Sequence, residues 1–323
     1  MATTTDALVE AAELARFAPS IHNSQPWRWR VGDGVLDLYL ATERRLPVTD
    51  PDARLAVLSC GTALHHARTA LAAEGLAAEV VRLPDPDRPE HLARITAPGR
   101  IPVSPEAMRL VQTIEIRHTD RRPVTSEPVK PDQLAAIEAA VRAEGVWLHV
   151  LRRDGVIELA AAAAYAQQTE AADEAWQAEL AYWTGGTRPG GAGVPDTAIP
   201  STPTQTTVPS RDFGHPGTLP VSPEHDRGAT FAILYGTQDS PLDWLRAGEA
   251  VSAAWLAATE LGVALLPLSA TVEVPYTAQT LRRLLAGLGQ PYLVLRLGFP
   301  DPEHPGPAHT PRLAAEQTIE RSP

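Results

Sequence analysis

The chain has 323 residues, a net charge of -11 and an apolar content of 44%, values that fit a globular protein with one large domain or two of ordinary size. The acidic balance argues against nucleic acid and anionic membranes as partners, because both favour clustered Lys and Arg. Its single cysteine, Cys60, rules out an internal disulfide and fits a reducing compartment. The sequence contains no recognisable secretion signal and no apolar stretch of roughly 20 residues, so we expect a cytoplasmic protein.

Apolar periodicity predicts alternating helices and strands along the chain. Glycine and proline mark many of their ends. The predicted helices cover 6–17, 105–116, 131–143, 155–182 and 244–261. A further helix is predicted to be capped by Thr49 or Asp50 and to end near residue 74. The predicted strands cover 27–31, 35–40, 79–83, 92–96, 146–151, 230–235 and 292–299.

Two segments lack a regular period. Residues 184–219 are rich in Gly, Pro and Thr, and so long a loop in a compact domain is usually a lid, a binding loop or disorder. Residues 262–270 are apolar and interrupted by Pro267, and the simplest prediction for them is a plain loop.

An internal echo indicates a duplicated architecture. Gly61 and Gly248 are 187 residues apart, as are Gly75 and Gly262, each pair within or just after an alanine-rich predicted helix. Alanine-rich helices also match by chance. If the echo is a tandem duplication, residues 1–104 and 105–323 form two related halves of one intertwined unit.

Two short motifs carry most of the chemical information. Pro19 to Trp27 reads Pro-Ser-Ile-His-Asn-Ser-Gln-Pro-Trp, and Arg117 to Arg122 reads Arg-His-Thr-Asp-Arg-Arg. Grouped guanidiniums with a hydroxyl suit a phosphate, and an amide-bearing turn can hydrogen-bond a flat heterocycle. The ordinary alternatives are a solvated basic loop and a helix-to-strand turn.

These motifs resemble the FMN-binding segments of the nitroreductase superfamily. Further counterparts are the helix end and Pro-containing loop at 261–270 and a basic residue near the C-terminus, Arg312. The resemblance implies that Arg117, Thr119 and Arg312 hold the FMN phosphate and that Arg121 reaches the O2/N1 edge of the flavin. It also implies cofactor contacts along both motifs and beside flavin N5, from His118, Pro19, Ser20, Ile21, Asn23, Gln25, Pro267, Leu268 and Ser269.

The order of the motifs is similar to the Acg-type branch of the superfamily. In ordinary nitroreductases the arginine motif precedes the turn motif, whereas here the turn comes first. One chain thus resembles both subunits of a homodimer fused together. The resemblance implies an α+β fold, with a mixed sheet and long helices in two pseudo-symmetric halves. It also implies one complete FMN site per chain, so that a monomer is sufficient.

The resemblance implies an oxidoreductase that takes hydride from NAD(P)H through flavin N5 to a nitroaromatic or quinone-like acceptor. Because the flavin carries the chemistry in this superfamily, no catalytic acid or base is assigned. No metal site is predicted either, since His65 and His66 are adjacent on a helix and point in different directions. The alternatives are an FMN-sequestering or storage protein, in which loop 184–219 closes over the ring, and a specialised oxidase.

Overall fold

The computed structural model describes residues 3–32, 34–185, 190–221, 225–303 and 306–321. Residues 186–189 of the predicted long loop lie outside these ranges. The helices are Thr4–Ala15 (α1), Arg54–Ala73 (α2), Pro105–Ile116 (α3), Pro131–Ala143 (α4), Arg153–Ala172 (α5), Glu174–Trp183 (α6), Pro241–Glu260 (α7), Ala270–Glu273 (α8), Pro275–Leu284 (α9) and Ala315–Thr318 (α10). None of the helices in these ranges is both long and apolar enough to cross a bilayer.

The strands form two separate sheets. They are Trp27–Gly32 (β1), Val35–Leu40 (β2), Leu76–Arg82 (β3), His91–Arg100 (β4), Trp147–Val150 (β5), Thr230–Gly236 (β6), Ala264–Leu268 (β7), Gln290–Gly298 (β8) and Ile319–Arg321 (β9). The first sheet has the order β3-β4-β2-β1-β9 and the second has the order β5-β6-β8-β7. The first sheet is mixed, because β9 joins β1 in parallel while its other pairs are antiparallel. The predicted α+β class, with a mixed sheet and long helices, is confirmed.

Local capping explains why several helices begin where the sequence predicts. Ser104 caps α3 by accepting a hydrogen bond from the Ala107 N–H, and Pro105 follows in the first turn. The Asp50 carboxylate accepts the Ala56 N–H in the first turn of α2 (2.9 Å), but α2 begins at Arg54 with Ala53 as its N-cap residue, later than the predicted cap at Thr49 or Asp50. The single helix predicted over 155–182 is wrong: it divides at Asp173, whose carboxylate caps α6.

The second sheet contains a strand that the sequence did not predict. We expected a plain loop over 262–270, but β7 pairs antiparallel with β8. Pro267 lies within β7 and has no N–H to donate. β7 is the edge of its sheet and pairs with β8 alone, a position in which strands accommodate a proline.

Two 20-residue helices that are buried along most of their length, α2 and α7, pack together at the centre of the molecule. Gly61 and Gly248 meet at their crossing: a Cβ on Gly61 would overlap the carbonyl oxygen of Leu245, and one on Gly248 would overlap that of Leu58. Gly61 and Gly248, one of the two glycine pairs of the internal echo, therefore form a reciprocal contact. The duplication and the half boundaries remain predictions.

Candidate functional site

A cavity lies beside the crossing of α2 and α7. Its unfilled volume is about 1280 Å³, a value that includes its open mouth. Elements distant in sequence converge on it, from the turn after α1 to the C-terminal tail. The predicted site residues that line it are Pro19, Ser20, Ile21, Asn23, Arg117, Thr119, Arg121, Pro267, Leu268, Ser269 and Arg312. Among the predicted residues, only His118 and Gln25 are absent from its lining.

The segment after α3 places alternate side chains in the cavity. Arg117 leaves the helix in an extended conformation (φ -61°, ψ 128°), and along an extended chain successive side chains point to opposite sides. Arg117, Thr119 and Arg121 line the cavity. His118, by contrast, is outside the cavity lining, and its ring contacts that of His309 edge-on (centroids 6.0 Å apart).

Arg117 is a buried cation with unused hydrogen-bonding groups. It is 3% exposed, its Nε and Nη1 have no hydrogen-bond partner, and its guanidinium lies 4.6 Å from the centre of the Trp255 ring. Burial, and next the positive charge of Arg312, lower the pKa of Arg117 to about 9. A buried guanidinium without an acidic partner is costly unless an anion compensates its charge.

Arg312 is brought beside Arg117 by the turn after α1. Its Nη1 donates to Asn23 Oδ1 (3.2 Å) and its Nη2 to the Phe17 carbonyl (3.1 Å). Burial, together with the charge of Arg16, lowers its pKa to about 10. The cavity therefore holds two neighbouring cations, and the charge of Arg312 destabilises that of Arg117, as expected of a site for a multiply charged anion.

The amides of the turn bind protein groups. Asn23 Nδ2 donates to the carbonyls of Gly193 (2.9 Å) and Pro311 (3.0 Å). Gln25 is fully buried, with its Nε2 donating to the Gly191 carbonyl (2.9 Å) and its Oε1 accepting the Leu313 N–H (3.0 Å). Gln25 is therefore outside the cavity lining, and both ends of its amide bind backbone groups, at Gly191 and at Leu313 next to Arg312.

The same turn is fastened to α2. The Ile21 N–H donates to Ser59 Oγ (3.1 Å), and Thr62 Oγ1 donates to the Pro19 carbonyl (2.6 Å). His22 adopts a left-handed backbone (φ 45°), an uncommon conformation for a residue with a Cβ. Its buried Nε2 lacks a partner, and burial, then Arg211 and Arg121, lower its pKa well below the ordinary value. His22 is therefore a neutral imidazole in the cavity wall that sequence reasoning missed.

Residues 190–221, which we call the covering loop, form one wall of the cavity. Their contribution is Val194, Pro200, Pro209, Ser210, Arg211 and Phe213. Phe213 lies against Arg121, whose guanidinium is 5.4 Å from the ring centre, and Arg121 Nη1 donates to the Ala198 carbonyl (3.1 Å). The long aperiodic loop signalled this role, but the sequence alone did not single out Arg211 or Phe213.

The lining is strongly unbalanced in charge. It includes Arg117, Arg121, Arg211 and Arg312, and no Asp or Glu side chain among the residues that the structure describes. The chain as a whole carries a net charge of -11. Apolar walls from Leu55, Leu58 and Leu266 complete the cavity. It thus suits an anionic ligand with a large apolar part.

Glu170, which contacts Arg211 from α5, has a pKa raised to about 7, chiefly by burial and also by Glu273. The folded protein therefore binds this proton more tightly than the unfolded chain, in which the carboxyl titrates near 4.5. Stability should fall as the pH rises from about 4.5 to about 7. The glutamine of Glu170→Gln cannot ionise, so between these two pH values the free energy of unfolding of this variant should fall by about 1–3 kcal/mol less than that of the wild type. Urea unfolding at several pH values measures the difference. Parallel pH profiles for the two proteins would contradict this assignment.

Curated relatives cover nearly the whole chain, although no protein-family model matches it. "Putative NAD(P)H nitroreductase Rv3131" of Mycobacterium tuberculosis is 38% identical over 312 residues, 95% of this chain and 89% of that protein. "Putative NAD(P)H nitroreductase acg" of the same organism is 35% identical over 322 residues, 98% of this chain and 96% of that protein. The chain belongs to the Acg-type nitroreductase family.

Solved nitroreductases match a smaller part of this Acg-type chain. NfnB from Mycobacterium smegmatis, an FMN-dependent nitroreductase in complex with NADPH, has a TM-score of 0.42 and 15% identity, covering 68% of this chain and all of its own. A nitroreductase with bound FMN from Bacteroides fragilis has a TM-score of 0.39 and 15% identity, covering 62% of this chain and 93% of its own.

Proposed function

We propose that the cavity binds one FMN per chain, with the phosphate held by Arg117 and Arg312 and assisted by the Thr119 hydroxyl. The observation that carries this proposal is the buried pair of arginines without an acidic partner in the cavity lining. A phosphate dianion would satisfy their unused N–H groups by charge-assisted hydrogen bonds.

The remaining predicted residues suit the ring system. Pro19, Ser20 and Ile21 would contact the ribityl chain or one edge of the rings, and Pro267 to Ser269 would present backbone near N5. Arg121, held by the Ala198 carbonyl and Phe213, would lie at the O2/N1 edge. A cation at that edge favours negative charge on the pyrimidine part of the ring and so raises the reduction potential.

We infer that the protein is an NAD(P)H-dependent oxidoreductase acting on a nitroaromatic or quinone-like acceptor. The names of the relatives at 35–38% identity support this activity. When bound, FMN would supply the acceptor and donor of hydride. The chain itself would bind and orient the cofactor, and we assign no catalytic acid or base to it.

A second function, sequestration of FMN with little turnover, is favoured by one observation. The covering loop lines the cavity, and it is attached to α8 and α5 through the side chain of Arg211. A loop that stays in this position leaves less room for a nicotinamide to stack on the flavin.

Anaerobic reduction separates the two functions. The FMN-loaded protein is mixed with NADPH or NADH, and absorbance in the flavin band is followed in a stopped-flow instrument. Rapid bleaching by either nucleotide is expected of a reductase. Bleaching by dithionite alone would support sequestration, and failure to take up FMN would overturn both functions.

A further inference from the structure

A single side chain of the covering loop makes ionic contacts with two helices. Arg211 Nη2 donates to both carboxylate oxygens of Glu273 in α8 (2.7 and 2.6 Å). Its Nη1 donates to Glu170 in α5 (3.1 Å). The Glu273 side chain is fully buried, and those of Arg211 and Glu170 are 9% and 4% exposed. Arg211 therefore joins the loop to the body of the protein away from bulk solvent.

This attachment lies directly on the cavity. Arg211 is itself a lining residue, and its neighbours Pro209, Ser210 and Phe213 line the cavity too. The carbonyl of Ser210 also accepts a hydrogen bond from the side-chain amide of Gln167 in α5. Movement of the loop away from α5 and α8 would remove this part of the cavity wall.

The beginning of the covering loop is held differently. The carbonyls of Gly191 and Gly193 accept hydrogen bonds from Gln25 and Asn23, and Asn23 also accepts one from Arg312. On the loop side these contacts use only backbone carbonyls, which carry no net charge. On the other side they use the turn that binds Arg312, the arginine proposed to hold the phosphate. The loop is thus held at its beginning by the turn of the proposed site, farther along by the hydrogen bond from Arg121 to the Ala198 carbonyl, and beyond that by the ionic contacts of Arg211.

We propose that the Arg211–Glu273–Glu170 contacts are a latch that determines whether the cavity exchanges its ligand with solvent. A buried ion pair contributes modestly to net stability, yet losing one partner is costly because the other charge remains uncompensated. Such a contact favours a loop that is fully closed or fully released over intermediate positions. The latch would thereby set the balance between retention of FMN and access of a nicotinamide, and in this respect it rests on the proposed function.

The first test uses the FMN-free protein, so that it does not depend on the cofactor. Amide hydrogen exchange is compared for the wild type, Arg211→Met and Glu273→Gln. We expect exchange of the amides in 194–213 to accelerate about tenfold or more in both variants, with no change in β1 and β2. Unchanged exchange in the covering loop of both variants would overturn the latch. Arg227→Gln, which removes an exposed arginine just beyond the loop, is the matched control.

The second test measures FMN release. Loaded proteins are mixed with an excess of an FMN-scavenging apoprotein, and the first-order release rate is followed by fluorescence. We expect release to be about tenfold faster or more in Arg211→Met and Glu273→Gln, intermediate in Arg211→Lys, and unchanged in Arg227→Gln. Equal release rates in all variants would overturn the latch.

The two proposals fail in distinguishable ways. If the loop exchanges faster in the variants but no form binds FMN, the proposed function is wrong and the latch stands. If every form binds FMN with wild-type exchange and release, the latch is wrong and the cofactor assignment stands. If Arg211→Met does not fold, Glu273→Gln keeps the test, because it retains the size of the side chain and loses only its charge.

Discussion

Arg117→Met is expected to weaken FMN binding by about 2–3 kcal/mol, or about 30- to 150-fold in Kd, because it removes the charge-assisted hydrogen bonds of a buried guanidinium to the phosphate. Methionine keeps the unbranched apolar stem and much of the packing against Trp255. The measurement is FMN titration followed by quenching of flavin fluorescence.

The stability of the FMN-free protein makes this prediction more specific. Arg117 is buried beside Arg312 with two unpartnered nitrogens, so its removal should not destabilise the FMN-free form. We expect an unchanged or higher Tm without FMN, and a smaller Tm increase when FMN is added. Replacing a residue that only stabilises the fold would instead lower the Tm of the FMN-free protein.

Arg109→Met is the matched control for Arg117→Met. Arg109 lies on the same helix, α3, but its side chain is 60% exposed and contacts Glu260 at 3.6 Å. An exposed pair of this kind contributes little, so both Kd and Tm should stay near the wild-type values. FMN binding by Arg117→Met as tight as that of Arg109→Met would contradict the proposed phosphate site.

Gly248→Ala is expected to destabilise the protein by at least about 3 kcal/mol, at the upper end of overpacking effects. The added methyl group would overlap the backbone carbonyl of Leu58 in α2, and backbone cannot move aside as a flexible side chain can. The two helices would have to separate along the contact that forms the centre of the core. Urea unfolding and the yield of soluble protein measure the effect.

The same substitution should also disturb the cavity. Leu58 and Thr62 of α2 and Val251 and Trp255 of α7 line it, so separation of the helices changes the distance between its walls. Gly99→Ala is the control, since nothing lies within 4 Å of the new Cβ and the site is an exposed position in β4. A wild-type Tm for Gly248→Ala would show that the crossing is looser than described.

Much of the local structure was predictable because it depends on neighbouring residues. The bounds of α3 and α4 follow from the serine and proline at the start of α3 and the proline that begins α4, and they match the prediction. The arginine and turn motifs were recognisable for the same reason, since each combines several chemical groups within a short stretch. Both proved to face one cavity.

Predictions failed where the outcome depended on distant contacts. Whether Pro267 interrupts a strand or lies in an edge strand depends on whether β7 pairs with β8 as the last strand of the sheet. The sequence could not show that the side-chain oxygen of Gln25 accepts the Leu313 N–H of the C-terminal tail, because the two residues are 288 positions apart. His118 belongs to the same motif as Arg117 and Thr119, but with an extended backbone after α3 its side chain is not in the cavity lining.

The amino-acid sequence alone determined most of the helices and strands and the two chemically distinctive motifs, because those features are set by short-range periodicity, capping and residue type. The α+β class and the proposed FMN site followed from the resemblance that those motifs carry. Only the tertiary structure decided which members of the motifs face the cavity and which support it. It alone also showed that Arg211 joins the covering loop to α5 and α8, since contacts across 41 and 62 residues depend on the packing of the whole chain.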